Sequence, residues 1–293
     1  ERSLAMKVQG VPRIPVCIFS PFSVAVLTTI FSVINSAEYP ENEYLMRCIM
    51  RVIAVGEKSD MVSLARDISM FLSGILQRSC SNPVNPKFNH YLFESFSALV
   101  KVLGERPASY ETTSLLEDNI CPALMGVLQN QIAEFIPYAF QVFAQMLELR
   151  VGHGLSTVYQ NLLKPILSPS LWVVRGNVPA LVGLLKSYLK VSPQECSACI
   201  NPLLGCWQSA FATRSTESHS FELLNVLVTR LPFESFRVNF THVIHLLLSS
   251  LADKTRCTPR FKRYFAIFMS HFVAKHGPTH IAIIVDSMQR NMF

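Results

Sequence analysis

The sequence predicts an all-α fold of stacked helix pairs, and three observations predict it. The first is a rhythm. Polar or proline-marked helix starts recur at Pro40, Pro86, Gln131, Val173, Ser215 and Thr255, at spacings of 46, 45, 42, 42 and 40 residues. Each opens an apolar pattern of helical period, and a second such pattern fills the gap to the next start. The second is composition. Of 293 residues, 50% are hydrophobic and 16% charged, against about 25% charged in an average protein. The third is punctuation. Glycine numbers 11 and proline 17, and the prolines sit mostly between helical patterns, where a missing N–H does least harm. Two helices per roughly 40–47 residues is the period of HEAT and armadillo arrays. The expected fold is therefore an α-solenoid of HEAT repeats, about six helix pairs plus flanking helices in a right-handed superhelical arc. No linker or low-complexity stretch interrupts it, so 1–293 reads as one continuous segment without separate domains. The missing Met at Glu1 and the missing polar cap at Phe293 read as a piece of a longer array.

Taken in order, residues 1–9 read as the tail of a helix. Residues 20–35 and 40–55 form the first pair, opened by Ser20 and Pro40, with Glu38, Glu41 and Glu43 at the positive end of the second helix. Residues 60–79, capped by Asp60, and 86–104 form the second, separated by the turn signal Asn82-Pro83-Val84-Asn85-Pro86. Phe88, Leu92, Phe96, Leu99 and Leu103 then mark one helix face. The third pair is 109–129 and 131–150. Ile132, Phe135, Ile136, Ala139, Phe140, Phe143 and Leu147 make its stripe, and Pro122 and Pro137 lie inside its helices. Residues 156–168 and 173–190, 193–212 and 216–231, and 233–252 and 258–276 make three more pairs. Residues 278–293 begin a seventh.

Between Arg13 and Glu38 no charged residue occurs, a stretch long enough to span a bilayer. The reading here is against insertion. Pro15 and Pro21 break its first third, and Phe22, Val26, Ile30, Phe31 and Ile34 form a one-sided stripe. The eight cysteines are dispersed through apolar helices, which favours a reducing compartment over a disulfide scaffold.

Chemistry-bearing motifs are missing. Cys196-Ser-Ala-Cys199 has metal-ligand spacing but no second pair, so helix packing is the reading. His242 and His245 lack the glutamate of a metalloprotease motif. No phosphate-binding loop, dinucleotide fingerprint or nucleophile elbow occurs. The sequence points away from an enzyme, a metal site or a bound cofactor. The formal charge is +6, densest at Arg256, Arg260, Lys262 and Arg263, and at helical spacing Arg256, Arg260 and Arg263 share a face. A solvated rim is the default for it, contact with an acidic protein partner the sharper alternative, and nucleic acid is disfavoured without a groove-reading motif.

What remains is surface. In paired-helix arrays the second helix of each pair usually lines the concave face. The candidate contacts are therefore Glu43, Arg47 and Arg51; Asn89, His90 and Glu94; Glu134, Tyr138 and Gln141; Arg175 and Asn177; Glu217 and His219; Arg260 and Arg263.

Four blocks on these helices carry a resemblance. They are Tyr39-Pro-Glu-Asn-Glu-Tyr-Leu-Met-Arg-Cys-Ile-Met-Arg51, Asn85-Pro-Lys-Phe-Asn-His-Tyr-Leu-Phe-Glu94, Glu134-Phe-Ile-Pro-Tyr-Ala-Phe-Gln-Val142 and Gly176-Asn-Val-Pro-Ala-Leu-Val182. In order and spacing they resemble the cellular apoptosis susceptibility family of importin-α export receptors, exportins of the importin-β (karyopherin-β) superfamily. A weaker match continues through the whole chain. The resemblance implies a transport receptor segment that binds importin-α together with RanGTP and shuttles between nucleus and cytoplasm. It implies no cofactor beyond the GTP carried by Ran, a monomeric receptor, and nucleoporin FG repeats as a further partner. The family's main RanGTP site lies in repeats this chain lacks, and the block residues are the ones carried over. Cys48 and the basic balance depart from the family pattern, whose members are acidic overall. A HEAT scaffold of another class, such as a vesicle-coat or regulatory subunit independent of Ran, is the alternative.

Overall fold

The computed structural model describes residues 4, 6–8, 11–12, 14–36, 41–104 and 109–290. The chain forms two compact units, Glu1–His153 and Gly154–Phe293. Both are built from stacked helix pairs, as the rhythm predicts.

The first unit begins with a two-residue antiparallel ladder, Lys7–Val8 on Val11–Pro12. This corrects the expected helix tail, whose residues 1–3, 5 and 9 lie outside the described residues. Pro12 pushes Val11 toward extended backbone and has no N–H to give a helix. Helix α1 is Val16–Asn35, with Pro15 at its N-cap and Pro21 inside it rather than breaking it. Its buried face is Ser23, Leu27, Ile30 and Ile34. Of the expected stripe, Val26 and Phe31 are half-buried and Phe22 is 61% exposed. Polar bonds set that rotation. The Asp60 carboxylate accepts from Ser20 Oγ at 2.6 Å and Ser23 Oγ at 3.1 Å. Phe31 stacks on Phe71, 3.8 Å between centroids. Among the described residues, α1 is the helix long and apolar enough to cross a membrane.

Helix α2 is Glu43–Val55, capped by Asn42, whose Oδ1 accepts from the N–H of Tyr44 and Leu45. The expected start at Pro40 and the acidic Glu38 lie outside the described residues. Residues 60–79 divide into α3 (Lys58–Ser63) and α4 (Ala65–Ser79) at Leu64. Asp60 is thus inside α3 and not its cap, because its carboxylate is taken by the α1 serines. Helix α5 is Pro86–Leu103, with Asn85 as cap and Pro86 in its first turn. Asn85 Oδ1 accepts from the Phe88 N–H at 3.2 Å, and its Nδ2 donates to the Glu41 carbonyl at 3.0 Å. One side chain therefore starts a helix and ties it to the preceding pair. Helix α6 is Tyr110–Gln129, capped by Ser109, and α7 is Ile136–Glu148. Gln131 has φ 53, a left-handed turn that delays α7. Pro137 consequently sits in the first turn of α7 and not in its interior.

The second helices α2, α5 and α7 pack side by side, while α4 packs on α6 behind them. Phe88, Leu92, Phe96, Leu99 and Leu103 are all buried, as are Phe135, Ala139, Phe140, Phe143 and Leu147. Each buried Leu or Phe contributes about 1.5–3 kcal/mol over leaving it in water. Glu117 of α6 and Arg150 after α7 form a buried ion pair at 3.1 Å.

The second unit follows the same plan. It contains α8 (Thr157–Ile166), α9 (Pro169–Val173), α10 (Val178–Val191), α11 (Pro193–Ala198) and α12 (Ile200–Phe211). It continues with α13 (Glu217–Arg230), a 3-10 turn (Phe233–Ser235), α14 (Arg237–Ala252), α15 (Pro259–His276) and α16 (Thr279–Arg290). Val173 ends α9, so the helix expected from 173 starts at Val178. The helix expected over 193–212 breaks at Cys199. Residues 291–293 lie outside the described residues. Here α10, α13 and α15 form the second-helix layer, and α9 packs on α12. Tyr188 is fully buried because its hydroxyl donates to the Tyr159 carbonyl at 2.8 Å. Gly277, at φ 81, turns the chain out of α15.

Candidate partner-binding surface

The outward face of the first unit's second-helix layer carries a ladder of aromatic rings and one guanidinium. Arg47 of α2 lies between the rings of Tyr44 and Tyr91, 5.2 and 5.4 Å from their centroids. Its Nη1 donates to the Tyr91 hydroxyl at 3.4 Å. His90 of α5 meets Tyr91 at 5.3 Å and the edge of Tyr138 of α7 at 6.2 Å. Tyr138 in turn stacks on buried Phe93, 5.0 Å between centroids. The rings fix Arg47 and Tyr138 before any partner arrives, which lowers the ordering cost of binding. Tyr and Arg are also the residue types that dominate protein interfaces.

The remaining candidates divide. His90, Glu94, Glu134 and Gln141 are exposed, and Arg51 is half-buried one turn beyond Arg47. Glu43 is half-buried, with Lys87 Nζ 3.7 Å from its carboxylate. Asn89 is 5% exposed and leaves the surface. It falls on the side of α5 that packs inward with Phe88 and Leu92. In the second unit Arg175 is exposed, but Asn177 is buried and its Nδ2 donates to the Leu171 carbonyl at 3.4 Å, which fixes the turn into α10. Glu217 is likewise buried, while half-buried His219 lies 3.7 Å from the Glu222 carboxylate. Arg260 and Arg263 are exposed on α15. Arg256 does not share their face, since it precedes the helix and its guanidinium covers the Phe211 ring at 4.4 Å.

Tyr44 and Tyr91 stand in the matching blocks but not among the named contacts, and Tyr264 stands in neither. Tyr44 precedes Arg47 by three residues, and Tyr264 follows Arg260 by four and takes its Nε–H at 2.8 Å. Those are neighbouring positions on a helix, and the spacing alone could have found them.

In the Cys196-x-x-Cys199 pair, Cys196 is not a reactive thiolate. Cys196 is buried, and burial, with Cys199 and Glu195 adding to it, pushes its thiol up to about 12. Among the described residues, no three His, Cys, Asp or Glu side chains are placed to share a metal ion.

The chain is similar in sequence and fold to known proteins. The family described as CAS/CSE protein, C-terminus, matches residues 1–293. An importin-alpha re-exporter of Schizosaccharomyces pombe is 33% identical over 287 residues, covering 94% of this chain and 29% of the relative. Exportin-2 of Drosophila melanogaster is 31% identical over 283 residues, with 94% of this chain and 28% of the relative covered. The solved exportin Cse1 in its cargo-free, cytoplasmic state superposes with TM-score 0.80 at 28% identity, covering 92% of this chain and 28% of that one. The chain thus spans under a third of the length of the relatives it matches.

Proposed function

This chain belongs to the CAS/CSE family, and on that premise we propose that it is an exportin segment that helps bind importin-α together with RanGTP and carry it from nucleus to cytoplasm. The observation that carries the reading is the match of the family over all 293 residues, joined to a likeness of fold with an exportin at TM-score 0.80. The relatives are named for re-export of importin-α and for export. The ladder of Tyr44, Arg47, Tyr91, His90 and Tyr138 supplies a contact face of the right composition on the second helices.

The mechanism follows from stacking. Helix pairs that touch only their neighbours add small rotations into a large change of curvature. A partner that prefers one curvature shifts the population toward it. RanGTP and importin-α are then coupled because both bias one spring. GTP enters with Ran, nucleoporin FG repeats are a further partner, and the receptor shuttles as a monomer. The test is capture of importin-α by the full-length protein in the presence of Ran loaded with a non-hydrolysable GTP analogue or with GDP. The GTP-like form strengthens capture; equal capture with both forms sinks the proposal.

A further inference from the structure

The second unit holds a cation-rich surface that the ladder does not include. Between Asp253 and Arg263 the sequence sets five cations, Lys254, Arg256, Arg260, Lys262 and Arg263, against one carboxylate. The fold adds Arg214 from the turn before α13, whose guanidinium donates to the Thr255 carbonyl. Arg256 Nη2 donates back to the Phe211 carbonyl at 2.6 Å. The two loops that open α13 and α15 are thereby stapled together.

Among the described residues, Glu217 and Asp253 are the carboxylates that meet these charges. Glu217 is buried at 6% exposure, with Arg256 at 3.9 Å and Arg260 and Arg214 acting on it from farther off. Burial raises its carboxyl above the usual range even against those three guanidinium groups. Asp253 accepts from the N–H and hydroxyl of Thr255 at 2.7 and 2.8 Å, and these bonds hold its carboxyl below its usual range. The cations are left in excess, and Arg214, Arg260, Lys262 and Arg263 are exposed.

We propose that this surface docks an acidic polypeptide segment, one that presents several Asp or Glu side chains in succession. The guanidinium fork matches a carboxylate bidentately. Single-stranded nucleic acid would want aromatic platforms beside the charge. The ring at hand is Tyr264, which is half-buried and holds Arg260 through its hydroxyl. The assignment is independent of the transport reading, since it needs neither Ran nor importin-α.

The test is fluorescence anisotropy of the 293-residue chain with a labelled Glu-Gly repeat peptide, a Gln-Gly counterpart and an oligothymidine of matched charge. The Glu peptide binds, binding weakens as salt rises, and the Gln peptide does not bind. Arg214→Glu/Arg260→Glu/Arg263→Glu weakens binding about tenfold. A charge-matched reversal elsewhere, Lys58→Glu/Lys101→Glu/Lys164→Glu, leaves it unchanged. Glu217→Gln, which frees the guanidinium groups from their buried competitor, tightens it a few-fold. Should the arginine variant lose its helical circular dichroism, Lys262→Glu/Arg263→Glu carries the same test. Equal losses from both reversals, or oligothymidine binding as tightly as the Glu peptide, overturns the proposal.

Discussion

Replacing Arg150 with Met should destabilise the first unit by about 3–5 kcal/mol, the cost of stranding one member of a buried ion pair. Arg150 and Glu117 have side chains 6% and 7% exposed, and Arg150 Nη1 donates to both Glu117 oxygens at 3.1 and 3.2 Å. The guanidinium also lies 5.8 Å from the Tyr110 ring centroid. Without it, the Glu117 carboxylate stays buried beside α7 with no cation to offset its desolvation. The partner change, Glu117→Leu, should cost a similar amount. The double variant should recover most of the loss, because an apolar pair of similar volume restores packing without a lone charge. Urea unfolding followed by circular dichroism reads all four proteins. A single-variant loss below about 1 kcal/mol would mean water reaches the site. Additive losses in the double variant would mean the pair acts through packing and not through charge.

Further outcomes follow from other contacts. Asp60→Ala removes the acceptor of the Ser20 and Ser23 hydroxyls and should cost about 2 kcal/mol; hydrogen exchange should rise first in α1, and unchanged protection there would contradict the link. Glu217 has its folded-state carboxyl raised by burial above 4.5, so the folded form retains its proton longer and stability falls as pH rises past 4.5 toward that raised value. Glu217→Gln should flatten that slope in melts across the acid range; an unaltered slope counts against it. The Cys196 and Cys206 thiols stand at about 12 against an ordinary 9.0. Stability should therefore decline between pH 9 and 12 as the unfolded chain ionises first. At neutral pH a thiol reagent should label exposed Cys17 well before either; early labelling of Cys196 would sink the burial argument. At Gly104 an added Cβ would meet Leu149 Cδ2 at 2.5 Å and the Val100 carbonyl at 2.6 Å; Gly104→Ala should lower the melting temperature, at a cost of about 1–3 kcal/mol, and an unchanged melt would refute it.

The sequence was most legible where one residue type has one job. Asn85 followed by Pro86 marks the start of α5, and both perform as their chemistry dictates. The stripe from Phe88 to Leu103 is buried because a period of 3.6 residues leaves few other options for five large apolar side chains. It was less legible where a distant partner overrides a local preference. Asp60 reads as a helix cap, yet two serines forty and thirty-seven residues away claim its carboxylate. Pro137 reads as an interior kink until Gln131 adopts a positive φ and moves the start of α7. The candidate surface divides the same way. His90 is exposed and Arg47 and Tyr138 are half-buried, while Asn89 and Asn177 are buried, a difference hydrophilicity alone cannot make. Arg256 was placed on a helix face by spacing, but a non-helical turn aims it at Phe211.

The measurement that bears most directly on the second-helix face is importin-α binding by the full-length protein, with GTP-loaded Ran present, before and after Tyr44→Ala/Arg47→Ala/Tyr138→Ala. Affinity should fall by about tenfold or more, the scale expected when several Tyr and Arg contacts are truncated, with circular dichroism unchanged. Reversal of first-helix charges, Arg66→Glu/Asp67→Lys, should leave it as it was. Importin-α that binds the triple variant as tightly as the unaltered protein would contradict the account.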